Sequence, residues 1–295
     1  MMVALSGGLS GQTTYGGLTS WYHANTLAMV GAGSAISGDA SDQMNPASIN
    51  PDSRKFTFGF LAYPAGIRTS QISFTFPTRS GVTMFSARNV NYGVFDGFDS
   101  QGLSTGTYTG SDVLLSAAYN TYLVRPSLKA GLTAGYFTSR LDTYSSSLTI
   151  FTPGVLYSYS PFDITIGLSF QNMGAVLDGY TSVEEALPET YVLGIAKKLA
   201  HLPMVLCSDI GVLKHSQEYW VRLAGIITLT QNLQLRWGTS TQKIDQSTQI
   251  DLINDYLGST GFGVSIKLES VDIDFGSYMF GSGGWIYGLG CEVRF

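Results

Sequence analysis

The closing stretch Trp285-Ile286-Tyr287-Gly288-Leu289-Gly290-Cys291-Glu292-Val293-Arg294-Phe295 carries the pattern that decides the fold. Trp285, Tyr287, Leu289, Cys291, Val293 and Phe295 share one parity, and Ile286, Gly288, Gly290, Glu292 and Arg294 the other. A β-strand points successive side chains to opposite sides, so this stretch has one apolar face and one mostly small or charged face. The same alternation recurs upstream in Phe56/Phe58/Phe60, Ile72/Phe74/Phe76, Ile164/Ile166/Leu168/Phe170, Leu233/Leu235/Trp237 and Phe262/Val264/Ile266. Opposite faces carry Ser73 and Thr75, Gln234 and Arg236, or Asp272 and Asp274.

Followed along the chain, the alternation predicts strands at 55–63, 68–77, 81–90, 112–122, 128–140, 148–159, 162–172, 189–198, 204–213, 218–229, 233–241, 259–268, 271–280 and 285–295. Each is near the roughly 9–11 residues that a tilted membrane-crossing strand needs. The three longest joins, 91–111, 173–188 and 242–258, all follow odd-numbered strands, whereas joins such as Thr78-Arg79-Ser80, Ser160-Pro161 and Glu269-Ser270 follow even ones and are short. Odd and even joins of an up-and-down barrel lie at opposite rims, and outer-membrane barrels keep short turns on the periplasmic side. The expected fold is therefore all-β, a transmembrane antiparallel up-and-down barrel of about 14 strands.

Composition agrees. Charged residues make up 13% of the chain, aromatics another 13%, and there are 35 glycines. About 25% charge is usual for soluble domains, so this chain has little with which to cover a water-facing surface. No apolar run approaches the roughly 20 residues of a membrane helix. The net charge of −5, with no Lys/Arg cluster, speaks against a nucleic-acid partner. Cys207 and Cys291 lie far apart without a CxxC partner and read as unpaired wall thiols, with a disulfide as the alternative.

The first 54 residues do not alternate. Met1 to Leu5 is apolar for five positions, short of the stretch of about 7–15 that an export signal needs. Residues 1–20 read as a residual leader or flexible N-terminus, a signal peptide cut short, with the native start expected upstream of Met1. Residues 21–54 read as a plug or cap segment and 55–295 as the barrel. Within the segment, Tyr22 to Val30 could form a short helix, and Asn-Pro occurs twice before Asp52.

From Asn25 to Pro51 the sequence ANTLAMVGAGSAISGDASDQMNPASINP resembles the N-terminal signature of the PorV/PorQ family, which is related to the FadL-like outer-membrane transporters. The elements of the resemblance are Gly31-Ala32-Gly33, Asp39 and Asn45-Pro46-Ala47. Gln171-Asn172-Met173-Gly174 and Leu187-Pro188 resemble the family's strand-end motif and the Leu-Pro before its next strand. Ser41-Asp42-Gln43 departs from the pattern, where small and aromatic residues are commoner. The resemblance implies a fourteen-stranded barrel and two roles. One is a partner-binding or shuttle factor in type IX-like secretion, with secretion-system components or cargo as partners. The other is a FadL-like transporter with a hydrophobic small molecule in its lumen. Trp285, Tyr287, Val293 and Phe295 also resemble the C-terminal signal read by the barrel assembly machinery, and an alternating last strand can pair with that machinery's open edge. Outer-membrane lipid and lipopolysaccharide are the remaining expected partners. A soluble exported β-domain is the alternative from another class.

Nothing in the chain points to chemistry. His23, His201 and His215 belong to no metal-ligand spacing, and no Gly-x-Ser-x-Gly elbow occurs. Gly281-Ser282-Gly283-Gly284 lacks the continuation of a phosphate loop and reads as a turn. No enzyme activity and no cofactor are expected. Glu184, Glu185, Asp251 and Asp255 read as solvated outer-loop carboxylates, with cation binding as the alternative. Tyr136, Tyr157, Tyr159, Trp220, Trp237, Tyr278 and Trp285 are expected in interfacial girdles. Ile226 and Phe280 are expected to face inward.

Overall fold

The computed structural model describes residues 15–38, 43–49, 54–123, 127–181, 185–243 and 257–295. Its strands are β1 (Lys55–Ala62), β2 (Arg68–Pro77), β3 (Val82–Phe98), β4 (Ser104–Tyr122), β5 (Leu128–Leu141), β6 (Tyr144–Tyr159), β7 (Ile164–Gln171), β8 (Met173–Asp178), β9 (Thr190–Lys198), β10 (Met204–Leu213), β11 (Tyr219–Thr230), β12 (Leu233–Ser240), β13 (Thr260–Lys267), β14 (Val271–Met279) and β15 (Trp285–Arg294). Fourteen of them close into an antiparallel ring through the β5–β6 and β1–β15 pairings, and β8 stands outside it, bonded to β6 alone. The closing pair runs in register from Lys55↔Arg294 to Ala62↔Tyr287. Closure leaves the ring without an open edge, the condition for strands to cross a bilayer.

The two faces are inverted relative to a soluble protein. Phe85, Leu193 and Phe275 are each half-exposed on the outside, and Phe74, Tyr287 and Leu289 join the same surface. Thr57, Gln71, Thr75, Arg88, Asp112, Asp209, Arg236 and Glu292 are buried on the inside. An apolar exterior around a polar interior is the construction of an outer-membrane barrel, and the cell outer membrane is its location. No helix among the described residues is long and apolar enough to cross a membrane. Both cysteines are free thiols, Cys207 buried and Cys291 half-buried.

Several expectations needed correction. The join 91–111 is not a loop: β3 and β4 run on as a ribbon, pairing as far as Phe98↔Ser104. Asp99 Oδ1 closes its tip by accepting the backbone N–H groups of Gln101 at 2.9 Å and Leu103 at 2.8 Å. The Gly, Ser and Asp content of this stretch reads as loop, but Phe95 stacked on Tyr108 at 5.3 Å holds the extended pairing. The join 173–188 begins with β8 rather than loop. Trp220 and Tyr278, expected in the girdles, are 6% and 2% exposed and face inward, because their parity matches Ala224 and Asp274 on the buried face. Ile226 does pack inward, against the cluster around Met29, Ala32 and Cys207, while Phe280 is half-exposed at the upper rim.

Inside the ring lies the N-terminal segment. Its described elements include α1 (Gly16–Thr19), α2 (Ala24–Ala28) and a 3₁₀ turn, Pro46–Ser48. Tyr15, Tyr22, Leu27, Val30 and Ala47 are almost wholly buried there. Tyr15, Gly17 and Leu18, read from sequence as part of a flexible leader, are buried against the wall because Tyr15 and Leu18 find an apolar cluster. The wall admits this backbone through glycine. A Cβ at Gly276 would collide with the Ala24 carbonyl, and one at Gly167 with the Ser34 carbonyl.

Candidate functional site

The irregular part of the wall lies where β7 gives way to β8. Below it, β7 is bonded on both sides, to β6 and to β9, up to the pair Gln171↔Thr190. Asn172 then adopts φ +57° and adds one residue to the ladder, so that Gly154↔Ser169 is followed by Phe151↔Met173. This is a β-bulge, which bends the strand that carries it. Beyond the bulge β8 keeps β6 but has no ladder partner on the β9 side. Among the described residues, the upper half of the wall between β8 and β9 is therefore a seam without strand hydrogen bonds.

Side chains bridge the seam. Asn172 Nδ2 donates to the Leu18 carbonyl at 3.3 Å and the Pro188 carbonyl at 3.4 Å. Gln171 Nε2 donates to the Met44 carbonyl at 2.8 Å. A Cβ at Gly174 would collide with the Thr149 carbonyl, so glycine lets β8 lie against β6 there. Leu187 turns inward and joins Tyr15, Leu18, Leu114, Phe137, Leu148 and Ile150, with Val176 and Tyr180 at the margin. Tyr15 meets Phe137 edge-on at 5.8 Å and stacks on Tyr180 at 6.2 Å. Its hydroxyl lies 2.9 Å from Ser146 Oγ. Burial, with Glu185 alongside, pushes the Tyr15 phenol up to about 12. Glu185, expected as a solvated loop carboxylate, is half-buried beside this cluster, and Glu184, Asp251 and Asp255 lie outside the described residues. The arrangement is an apolar hollow beneath the upper mouth, bordered by an unbonded seam and filled by the chain's own Tyr15 and Leu18.

The N-terminal motif residues seat the segment lower down. Asn45 Nδ2 donates to the Ser34 carbonyl at 2.8 Å and to the Val155 carbonyl of β6 at 3.1 Å. Its Oδ1 accepts the Ala47 N–H at 3.0 Å, and Pro46 opens the 3₁₀ turn. Asn120 of β4 donates from Nδ2 to the carbonyls of Pro46 at 3.0 Å and Ile49 at 2.9 Å. Gly31 and Gly33 turn the chain with φ of +70° and +129°. Asp39 lies outside the described residues. Gly31, Gly33, Asn45, Pro46 and Ala47 thus belong to one packed unit, and Gln171, Asn172, Gly174, Leu187 and Pro188 to the seam beside it. Trp285, Tyr287, Val293 and Phe295 lie apart from both, on the outer parity of β15, with Phe295 stacked on Phe74 at 5.9 Å.

The sequence placed Arg236 and Asp274 opposite the apolar face without showing that they, with Asp112, meet the N-terminal segment. Asp112 Oδ2 accepts the Gly17 N–H at 2.9 Å and the Tyr92 hydroxyl at 2.7 Å. His23 Nδ1 accepts the Asn25 N–H at 3.3 Å, and its Nε2 lies 3.9 Å from Asp274 Oδ2. Arg236 Nη1 lies 3.7 Å from Asp274 Oδ1. The available signal was a lone charge on the inward parity of an otherwise apolar or small-residue strand. No cluster of three metal-ligating side chains occurs among the described residues.

No family model matches the chain, and no curated protein matches it. Among solved structures, it is similar to the toluene transporter TodX of Pseudomonas putida, with a TM-score of 0.64 at 12% identity, covering 92% of this chain and 98% of that one. A FadL homologue of Pseudomonas aeruginosa aligns with a TM-score of 0.56 at 11% identity, covering 93% of this chain and 98% of that one. At such identities the likeness is one of fold: this is a FadL-like fourteen-stranded barrel.

Proposed function

We propose that this barrel is an outer-membrane channel for small hydrophobic molecules, and that they pass by way of the seam between β8 and β9. The observation that carries the reading is the meeting of an apolar hollow with a gap in the strand ladder. A molecule displacing Tyr15 and Leu18 from Leu114, Phe137, Leu148 and Ile150 would stand directly beside a wall without backbone bonds. Leaving there breaks no ladder, whereas leaving downward requires the whole buried segment to move. On this reading the N-terminal segment, expected from sequence at 21–54 and joined here by Tyr15 and Leu18, acts as a plug. The named function of TodX, a toluene transporter, supports the solute class. The secretion-shuttle role implied by the short motifs has no counterpart among the comparisons and stands behind this reading. Trp285, Tyr287, Val293 and Phe295 would serve as the assembly signal.

Deleting Asn172 tests the seam, because it removes the extra residue and carries β7 straight into β8. Uptake of toluene into proteoliposomes should fall to the protein-free rate while the barrel keeps its heat-modifiable migration. Undiminished uptake by the folded deletion variant would remove the seam as the route. No uptake by the unaltered protein would remove the channel reading itself.

A further inference from the structure

We infer that Asp209 and Arg222 form a reversible latch that holds the N-terminal segment in the barrel, and that releasing it opens a water-filled pore to small hydrophilic solutes. The two residues face each other across β10 and β11 as register partners. They grip one turn from two sides. Asp209 Oδ2 accepts the N–H groups of both Gly33 and Ser34 at 2.9 Å, and Arg222 Nη1 donates to the Gly31 carbonyl at 3.1 Å. The turn itself is built for this contact: Gly31 and Gly33 have positive φ, and a Cβ on Gly31 would come within 2.7 Å of Arg222 Nη1. The Arg222 guanidinium lies 3.6 Å over the Trp220 ring and 5.9 Å from that of Trp21, so aromatic faces from wall and segment enclose it.

What makes the contact a latch is what it leaves unsatisfied. Asp209 is wholly buried with the Ser34 hydroxyl beside its carboxylate, and Arg222 Nε has no hydrogen-bond partner. Buried charges with incomplete partners bear a desolvation cost that hydration would relieve. When the segment lifts, water reaches both groups and restores that hydration, which offsets part of what the lost contacts to the segment cost. An all-apolar contact at this place would gain nothing on opening. Around the freed space, Gln71, Ser73, Thr75, Arg88 and Asp274 also present polar groups from the wall. The pore so exposed is hydrophilic, a second conducting state distinct from the seam. The inference rests on reading the segment as a plug, but its readout does not depend on hydrophobic transport.

The test uses proteoliposomes of the full chain and the efflux of a trapped disaccharide. Asp209→Ala removes both acceptor bonds and should raise efflux about tenfold, the shift that about 1.4 kcal/mol produces, whereas Asp209→Asn, which keeps an acceptor oxygen, should raise it less. A second variant guards against a damaged wall. Ser34 Oγ lies against the position that a Cβ on Gly194 of β9 would occupy. In a Cys207→Ala, Cys291→Ser background, Ser34→Cys with Gly194→Cys should therefore tether segment to wall on oxidation. Oxidation should return Asp209→Ala efflux to the unaltered rate, and reduction should restore the leak. Unchanged efflux in Asp209→Ala overturns the latch. So does a leak that persists in the oxidised double-cysteine protein, since the wall and not the segment would then be open.

Discussion

Two walls of this barrel hold the same buried segment by opposite means. Along β12 to β15 and β1 the ladder is unbroken, and α2 lies flush against it. Glycines at 238, 261 and 276 bring strand backbone against the carbonyls of Met29, Ala28 and Ala24, and His23 and Arg236 converge on Asp274. Along β6 to β9 the ladder stops at Gln171↔Thr190, and beside that break the segment is held by the side chains of Gln171, Asn172 and Ser146 and by an apolar cluster. The difference teaches where such a barrel can open. A continuous ladder yields only if many bonds break together. A seam bridged by Asn172 and packed with Leu187 and Tyr15 yields contact by contact, at a cost of about 1 kcal/mol per hydrogen bond.

Truncations should expose that asymmetry. The largest effect is expected from Phe137→Ala, which empties the centre of the seam-side cluster and should cost about 3–5 kcal/mol. Unfolding by denaturant in detergent measures it, with the outward-facing Tyr136→Ala as a control that loses far less. If both lose alike, the cluster is not a packed unit. Gly276→Val attacks the sealed wall instead. Its branched side chain meets the Ala24 carbonyl, and overpacking of this kind costs about 1–3 kcal/mol. Alkylation of a cysteine placed at Ala24 should become faster as α2 is pushed off the wall, and an unchanged rate would deny the close contact.

A smaller effect is expected at the bridge. Asn172→Ala loses its bonds to the Leu18 and Pro188 carbonyls, worth about 0.5–1.5 kcal/mol each. Toluene flux should rise while the unfolding midpoint moves little. A fall in flux would mean that Asn172 shapes the route rather than closing it. The smallest effect belongs to Lys214, whose pKa is raised by its hydrogen bond to Glu189 beside the seam. A raised pKa means that the charged form is favoured in the folded state, so any contribution persists through neutral pH and is lost only as pH climbs past the ordinary lysine range. Flux should therefore be flat between about pH 7 and 9, and Lys214→Ala should leave it unchanged, since the side chain is solvent-exposed and its ion pair screened.

The sequence alone determined the fourteen strands of the ring and their alternation, because in a membrane barrel each strand carries its own boundary condition. Lipid on one side and a polar interior on the other write a period of two into local sequence, visible in Phe56/Phe58/Phe60 or in the last strand without knowledge of any partner. The motif residues around Asn45 and Asn172 were also legible as places of interest. Which way a strand faced was less so where both parities carry aromatics, and Trp220 and Tyr278 went inward for that reason. The ribbon of β3 and β4 was hidden because Gly and Asp propensities for loops were outweighed by cross-strand pairing. The tertiary structure alone decided the rest. The seam is a relation among β6, β8 and β9, and the latch a relation among two wall strands and a turn more than 170 residues earlier in the case of Asp209. Neither leaves a local periodicity, because a hydrogen bond between distant segments constrains one residue at each end and leaves their neighbours unchanged.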